Sequence, residues 1–251
     1  MIVIQLILAL VIGATVLAAG IAIIGTVVAG AVGLLLIGSV IALAVYLIKT
    51  HWTPISTGYY AFIAQKGAFV GKPGIAMDVW RLQQGNTCAI NAQRMVLAIC
   101  GIQKSEEELA KRNQAYGLHG KDGSSDIMNL MSGYGLSVQQ VPVSTKDTFV
   151  RSLYYTLCHG QLAVAAVNAN LLNDPDPNFR SRQRAIPNHA ILLTGLRNIG
   201  DGHYLVYYTD SGVSDGALKS VDARIMQEAV GTELVTTPVL FDGGKRSWPY
   251  S

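Results

Sequence analysis

Residues 83–100 read QQGNTCAINAQRMVLAIC, and this stretch carries the strongest structural signal in the chain. Its apolar side chains recur at the spacing of one helix face: Ala92, Met95, Val96 and Ile99. This spacing predicts a helix over residues 87–100, which Gly101 is expected to end. Cys88 then lies in the first helical turn, after the capping-type residues Asn86 and Thr87. A helix N-terminus favours negative charge, so we expect a lowered thiol pKa at Cys88.

Helices come first after this segment and strands come later. Ser105 and Glu108 form a predicted capping box that opens a second helix, which continues to about Ala115. Other predicted elements are helices at 126–132, 145–158 and 222–230 and extended segments at 136–143, 162–167, 189–196, 203–209 and 233–239. Residues 197–202 contain the Gly and Asp residues of a hairpin turn, and residues 168–187 are expected to form a loop. Helices followed by an antiparallel sheet predict an α+β domain.

The first 48 residues contain no Asp, Glu, Lys or Arg, and the first charged residue is Lys49. A membrane-spanning helix needs about 20 apolar residues. The run is more than twice that long, so we expect an all-α transmembrane hairpin over residues 1–49. A signal peptide and a buried pair of soluble helices are the alternatives. The predicted organisation is this hairpin, a linker or approach segment over residues 50–80, and a catalytic domain over residues 81–251.

Charge and cysteine content exclude several classes of protein. The net charge is only +3, and no stripe of basic residues with interleaved aromatics indicates a nucleic-acid partner. The chain has three widely spaced cysteines and no CxxC pair, which excludes a disulfide framework and a zinc motif. No cofactor and no metal are expected. Cys100 and Cys158 are interpreted as small buried hydrophobic residues.

A thiolate nucleophile needs a base that a third group orients. His189 opens an apolar strand, where a histidine with a functional partner is expected, and we predict that it is the base. If the hairpin turn is centred near Gly200, Asp210 faces residue 189 or 190 across the ladder. The Asp210 carboxylate can then bind one imidazole nitrogen while the other faces Cys88. The weaker candidates for the base are His51, His119, His159 and His203.

Acyl transfer also needs hydrogen-bond donors for the developing oxyanion. The backbone N–H of Cys88, at the start of a helix, is one candidate donor. A side-chain amide just upstream is the second, and both Gln83 and Gln84 are placed for it. Gln83 is preferred, and Gln84 stays open as the alternative.

Three segments together resemble the active-site motifs of the papain-like, bacteriocin-processing peptidases that remove double-glycine leaders. Residues 83–97 are similar to the family's Gln and Asp-Cys-Gly segment at a helix start. Residues 188–195, NHAILLTG, are similar to its His-Ala-hydrophobic-Thr-Gly segment, and residues 208–212, YTDSG, to its Asn-Asp-Pro-Gly segment. The resemblance covers roughly residues 81–240. It implies a papain-like cysteine peptidase fold.

By this resemblance Cys88 is the nucleophile, His189 the base, Asp210 the orienting residue and Gln83 the oxyanion residue. The chain departs from the family at three positions, where the usual residues are Asp, Gly and Pro: Thr87, Ala89 and Ser211. No Walker-type phosphate loop is present, so the exporter-linked role is less suited to this chain. The chain is more similar to stand-alone papain-like effector domains of antibacterial toxins.

The expected function is therefore a membrane-associated cysteine peptidase that acts as an antibacterial toxin or effector. The alternatives are a membrane-anchored leader or surface-protein processing peptidase, a papain-like amidase or deamidase, and an inactive binding module. Expected partners are a protein or peptide substrate, a membrane through residues 1–48, and an immunity protein or secretion chaperone. The protein is expected at a membrane or delivered into a target cell, and the positive-inside rule applied to Lys49 predicts that the catalytic domain is cytoplasmic.

Overall fold

The computed structural model describes residues 39, 41–42, 53–115, 126–143, 145–173 and 187–241. The chain divides between Tyr60 and Ala61 into two units, and all predicted site residues belong to the second. Its described part combines helices with a sheet in which every strand pairing is antiparallel. This makes it an α+β structure.

The helices are α1 (Thr53–Ala64), α2 (Cys88–Ile99), α3 (Glu106–Ala115), α4 (Asp126–Gly133), α5 (Lys146–Cys158), α6 (Ala169–Asn173) and α7 (Ala223–Ala229), with a 3-10 turn at Pro73–Ala76. The strands are β1 (Phe69–Gly71), β2 (Gln139–Pro142), β3 (Ala163–Val167), β4 (His189–Gly200), β5 (His203–Thr209), β6 (Lys219–Asp222) and β7 (Val230–Thr236). The sheet order is β2-β7-β3-β4-β5-β6, and β1 pairs with β4 outside this order. Strand β4 is therefore the centre of the sheet, and its first residue is His189.

Local sequence explains the boundaries of the main elements. The predicted capping box is confirmed at α3, where Ser105 Oγ accepts from Glu108 N at 3.1 Å and Glu108 Oε2 accepts from Ser105 N at 2.9 Å. The β4–β5 turn has positive φ at Gly200, Asp201 and Gly202, a conformation that glycine adopts without steric cost. The α2 start at Cys88 lies one residue from the predicted boundary.

Helix α2 is buried on two sides. Its residues contact β4 and also the helices α3 and α4. Leu97 packs with Leu109 and Leu130 in a fully buried cluster between the three helices. The buried amide of Gln93 links α2 to α4, because its Oε1 accepts from the backbone nitrogens of Leu130 and Met131 at 3.0 and 3.2 Å. These contacts fix the helix that carries the predicted nucleophile against the strand that carries the predicted base.

The segment predicted to be a linker is folded over much of its length. Within residues 50–80 the structure places all of α1, the strand β1 and a 3-10 turn. Strand β1 pairs with residues 195–197 of β4. This close pairing is possible because Gly195 has no Cβ, which would lie only 2.9 Å from Phe69 Cζ. A three-residue strand whose register depends on a distant glycine has no periodic signal, so the sequence did not reveal it.

The predicted transmembrane hairpin over residues 1–49 is wrong for the part of the chain that the structure describes. None of the described helices is both long enough and apolar enough to cross a membrane. The nearest complete helix, α1, has 12 residues and spans about 18 Å, whereas a bilayer core is about 30 Å thick. Ser39, Ile41 and Ala42 are helical, and the rest of residues 1–52 lies outside the described residues.

Candidate active site

Cys88 is the first residue of α2, at the end where the helix dipole is positive. Thr87 occupies the N-cap position, but its hydroxyl does not cap the helix. The first helical hydrogen bond runs from Asn91 N to Thr87 O at 2.9 Å. The N–H of Cys88 precedes this bond, so it has no partner within the helix.

A carboxylate that sequence reasoning missed positions the loop before Cys88. Glu106 Oε1 accepts from Gln84 N at 3.1 Å and also from the Thr87 hydroxyl. Thr87 Oγ1 further lies 3.1 Å from Gln84 O. Glu106 stands in the first turn of α3, so this helix holds the segment that leads into the nucleophile. An acidic residue in a first helical turn is common enough that its position gave no signal of this contact.

His189 lies between Cys88 and Asp210. Its Nε2 is 2.6 Å from Asp210 Oδ1, and its side chain also hydrogen-bonds the Cys88 thiol. Because Nε2 is engaged by the carboxylate, Nδ1 is the ring nitrogen left for Cys88. The side chains of His189 and Asp210 are only 11% and 9% exposed, so water screens this pair weakly. The structure thus brings together the three residues that the sequence predicted.

Asp210 is held from several directions. Its Oδ1 also accepts from Gly212 N at 2.7 Å, and its backbone carbonyl accepts from Trp80 Nε1 at 2.8 Å. Burial acts to raise the pKa of Asp210, but the bonds from His189 and Gly212 and the charges of His189 and Lys219 lower it below its usual value. The carboxylate is therefore ionised and oriented at neutral pH. The Trp80 contact was missed because its partner is a backbone atom.

The electrostatics of the pair favour a thiolate beside an imidazolium. Burial acts to raise the pKa of Cys88, but the hydrogen bond and charge of His189 and the backbone N–H groups of Ala190 and Ala89 lower it below its usual value. Burial acts to lower the pKa of His189, while hydrogen bonds and charges from Asp210 and Cys88 raise it to about 9. Both shifts favour the charged forms, the thiolate of Cys88 and the imidazolium of His189.

The other cysteine with a shifted pKa behaves in the opposite way. Cys100 stands at the C-terminal end of α2, and burial raises the pKa of its thiol. Cys100 and Cys158 were expected to be buried, but both are half-buried, as is Cys88. Helix α2 thus provides an internal comparison, with a thiol of lowered pKa at one end and a thiol of raised pKa at the other.

The competing histidines have other partners or lie outside the described residues. His159 is exposed at the end of α5, where its Nδ1 lies 2.6 Å from Tyr155 O. His203 stands at the turn end of β5, with Nδ1 3.4 Å from Asp222 Oδ2. His51 and His119 lie outside the described residues. His189 is therefore the histidine that the described structure places against a cysteine.

Gln83 contacts the segment after Asp210, whereas Gln84 does not. Gln83 N donates to Ser211 O at 2.8 Å, and Ser211 Oγ donates to Gln83 Oε1 at 3.1 Å. The side chain of Gln84 is exposed, and its backbone nitrogen binds Glu106. Gln83 Nε2 donates to Gly85 O at 2.8 Å, and a primary amide nitrogen carries a second hydrogen. Of the two glutamines, Gln83 is the one anchored beside the site.

The His189–Asp210 pair packs directly against Gly212, where there is no room for a side chain. A Cβ at this position would lie 2.8 Å from His189 Cε1 and 3.1 Å from both His189 Nε2 and Asp210 Oδ1. Any side chain at Gly212 would therefore displace the imidazole or the carboxylate. The sequence showed that a glycine lies two residues after Asp210, but it did not show that His189 and Asp210 pack against that glycine.

Among the described residues, no cluster of three or more His, Cys, Asp or Glu side chains is arranged to hold a metal ion. The arrangement described above can generate a nucleophilic thiolate, transfer a proton through an imidazole and supply N–H donors beside the sulfur. Comparison with known proteins gave no matching family model and no matching curated protein. The chemistry therefore has to be inferred from the residues themselves.

Proposed function

We propose that this protein is a papain-like cysteine peptidase in which Cys88 is the nucleophile and His189 the general base and acid. The observation that carries the proposal is the Cys88–His189–Asp210 series, with Nε2 of His189 2.6 Å from Asp210 Oδ1 and the Cys88 thiol hydrogen-bonded to the same ring. A thiolate, an imidazolium and an orienting carboxylate are the parts that covalent acyl transfer requires.

In the acylation step, the Cys88 thiolate attacks the carbonyl carbon of the scissile amide. The S–C bond forms, and the carbonyl oxygen becomes an oxyanion that the N–H of Cys88 and Nε2 of Gln83 stabilise. The His189 imidazolium gives its proton to the amide nitrogen as the C–N bond breaks. The amine leaves and an acyl thioester remains on Cys88.

In the deacylation step, neutral His189 takes a proton from water, which attacks the thioester carbonyl. The S–C bond breaks, the carboxylic acid leaves, and Cys88 returns to the thiolate beside an imidazolium. Asp210 stays ionised throughout, and it holds the ring with Nδ1 towards the sulfur. The substrate class that fits this sequence of steps is a peptide or protein amide, and the role as an antibacterial effector stays a prediction.

The test is alkylation of the full chain with iodoacetamide across pH, with the modified cysteines identified by mass spectrometry. Cys88 is expected to react at pH values where Cys100 does not, because the pKa is lowered at Cys88 and raised at Cys100. The His189→Ala variant is expected to lose this selective reaction. Cys100→Ala is the matched control at the other end of the same helix, and it should leave the reaction of Cys88 unchanged.

Equal, slow labelling of Cys88 and Cys100 would contradict the proposal, because it would mean that no activated thiolate is present. Selective labelling that survives in His189→Ala would remove His189 from the role of base. If the reaction is selective, incubation with a denatured protein separates peptide cleavage from deamidation. Cleavage yields new N-termini, whereas a deamidase converts glutamine to glutamate in an uncut chain.

A further inference from the structure

Ser211 follows Asp210 directly and has 1% of its surface exposed. The peptidases that this segment resembles have a proline here, so the hydroxyl is a feature of this chain. A buried hydroxyl without a partner destabilises the fold, so the partner of the Ser211 hydroxyl bears on its role. That bond goes to Gln83 Oε1, at 3.1 Å.

The two hydrogen-bond partners of the Gln83 side chain, Gly85 O and Ser211 Oγ, identify the nitrogen and the oxygen of its amide. Nε2 lies 2.8 Å from Gly85 O, and a carbonyl oxygen can only accept, so nitrogen is the atom that faces Gly85. Oxygen then faces Ser211, which donates its single hydroxyl hydrogen to it. The Ser211 carbonyl also accepts from Gln83 N at 2.8 Å, so the two residues are joined through backbone and side chain.

We propose that Ser211 is a positioning residue that holds the Gln83 amide with its nitrogen available to the developing oxyanion. This role rests on the cysteine-hydrolase function proposed above. The terminal torsion of a glutamine has two broad, roughly equivalent orientations. Without the Ser211 hydroxyl, the bond to Gly85 O is the one remaining hydrogen bond that holds this amide, so the amide can turn about its terminal torsion and its second N–H no longer points steadily at the oxyanion.

Two reactions of the same thiolate separate this role from general damage to the site. Iodoacetamide loses iodide when sulfur attacks its methylene carbon, and no oxyanion forms. p-Nitrophenyl acetate is attacked at its carbonyl carbon: an oxyanion forms, the S–C bond is made, the C–O bond breaks, and p-nitrophenolate leaves with the negative charge. The first reaction reports on the thiolate alone, and the second also reports on the oxyanion donors.

We expect Ser211→Ala in the full chain to slow the acylation of Cys88 by p-nitrophenyl acetate by about tenfold to a hundredfold. Complete loss of one oxyanion donor slows such reactions by about a hundredfold to a thousandfold, and here the donor is misoriented but not removed. Its rate and pH profile of alkylation by iodoacetamide should equal those of the wild type. Ser211→Thr, which keeps the hydroxyl, should restore the acylation rate. Ser214→Ala removes an exposed hydroxyl from the same loop and should change neither reaction.

A double-mutant comparison keeps the proposal testable if Ser211→Thr does not fold. In a Gln83→Ala background the Ser211→Ala change should have no further effect on acylation, because the amide that it orients is gone. Equal acylation by Ser211→Ala and the wild type would overturn the proposal, as would fully additive losses in the double mutant. Failure of the proposed function looks different, because Cys88 of the wild type would then not be alkylated selectively.

Discussion

Replacement of Gly212 by alanine tests whether the geometry around His189 activates Cys88. The added Cβ would lie 2.8 Å from His189 Cε1, about 0.6 Å inside the 3.4 Å at which ordinary van der Waals contact begins. Gly212 does not have a positive φ, so the change introduces a steric overlap and no backbone strain. The imidazole is buried and cannot move into solvent without breaking its bond to Asp210.

The size of the overlap sets the expected effect. A displacement of the ring by about 0.6 Å would stretch the 2.6 Å bond between His189 Nε2 and Asp210 Oδ1 to about 3.2 Å, the limit of a normal hydrogen bond. A misplacement of about 1 Å at a catalytic group costs about a hundredfold in rate. We therefore expect Gly212→Ala to slow the alkylation of Cys88 at neutral pH by about tenfold or more. The pH profile should move towards that of an ordinary thiol.

The assay is the rate of iodoacetamide labelling at Cys88 as a function of pH, with urea unfolding to confirm that the variant is folded. Gly74→Ala is the matched control, because its Cβ would meet only the flexible end of Met77, at 3.4 Å. Gly74→Ala should label like the wild type. A folded Gly212→Ala protein with the wild-type pH profile would refute the link between the packing of His189 and the activation of Cys88.

Asp210→Asn should lower the pKa of His189 from about 9 towards 6.5, as followed by NMR titration of the ring protons, and an unchanged value would exclude Asp210 as the cause. The stability that His189 contributes should be fully present below about pH 6.5 and lost as pH rises through about 9, because its folded pKa is raised. Urea unfolding of the wild type and His189→Ala measures this difference, and a constant difference up to about pH 10 would contradict the shift. Asn198→Ala should lower the free energy of unfolding by about 2 kcal/mol, since the buried Asn198 amide donates to backbone carbonyls within residues 62–65. A loss below about 0.5 kcal/mol in urea would show that these carbonyls find other partners.

Sequence reasoning located the elements that carry chemistry because each has a local signal. The capping box at Ser105 and the glycines of the β4–β5 turn depend only on residues a few positions away in the sequence, so they can be predicted without knowledge of the fold. The position of Cys88 at a helix start follows from the same kind of signal. The closeness of His189 and Asp210 needed only one further assumption, the position of the hairpin turn.

The ladder itself shows where such extrapolation fails. Two irregularities shift the β4–β5 register, between Leu193 and Gly195 and between Asn198 and Gly200. The turn pairs Gly200 with His203, so its centre lies beyond the assumed centre at Gly200, and the two irregularities then shift the pairing back by two residues. The last observed pair is Leu192 with Thr209, so the next position opposite Asp210 is 191 and not the predicted 189 or 190. Bulges have no reliable sequence signal, because each is stabilised by the strands around it.

The other contacts between distant segments had no signal in the sequence. The Glu106 carboxylate that holds Thr87 and the Ser211 hydroxyl that holds Gln83 depend on how helices and loops pack. Each of these side chains has several equally good roles when only its neighbours in sequence are known. The same limit applies to β1, whose pairing with β4 depends on a glycine far along the chain.

The residues of the site come from segments that are far apart in the chain, and this has a consequence for how the protein is made. About 120 residues separate Cys88 from Asp210, and a ribosome adds about 5–20 residues per second, so roughly 6 to 24 seconds pass between the two. For most of that interval Cys88 exists without His189, and for all of it without Asp210. Its sulfur then lacks the imidazole that lowers its pKa, so we expect an unactivated thiol at this stage of synthesis. The His189–Asp210 pair can form only when the hairpin that begins at His189 closes, so we expect activation of the Cys88 thiol to follow the folding of this hairpin.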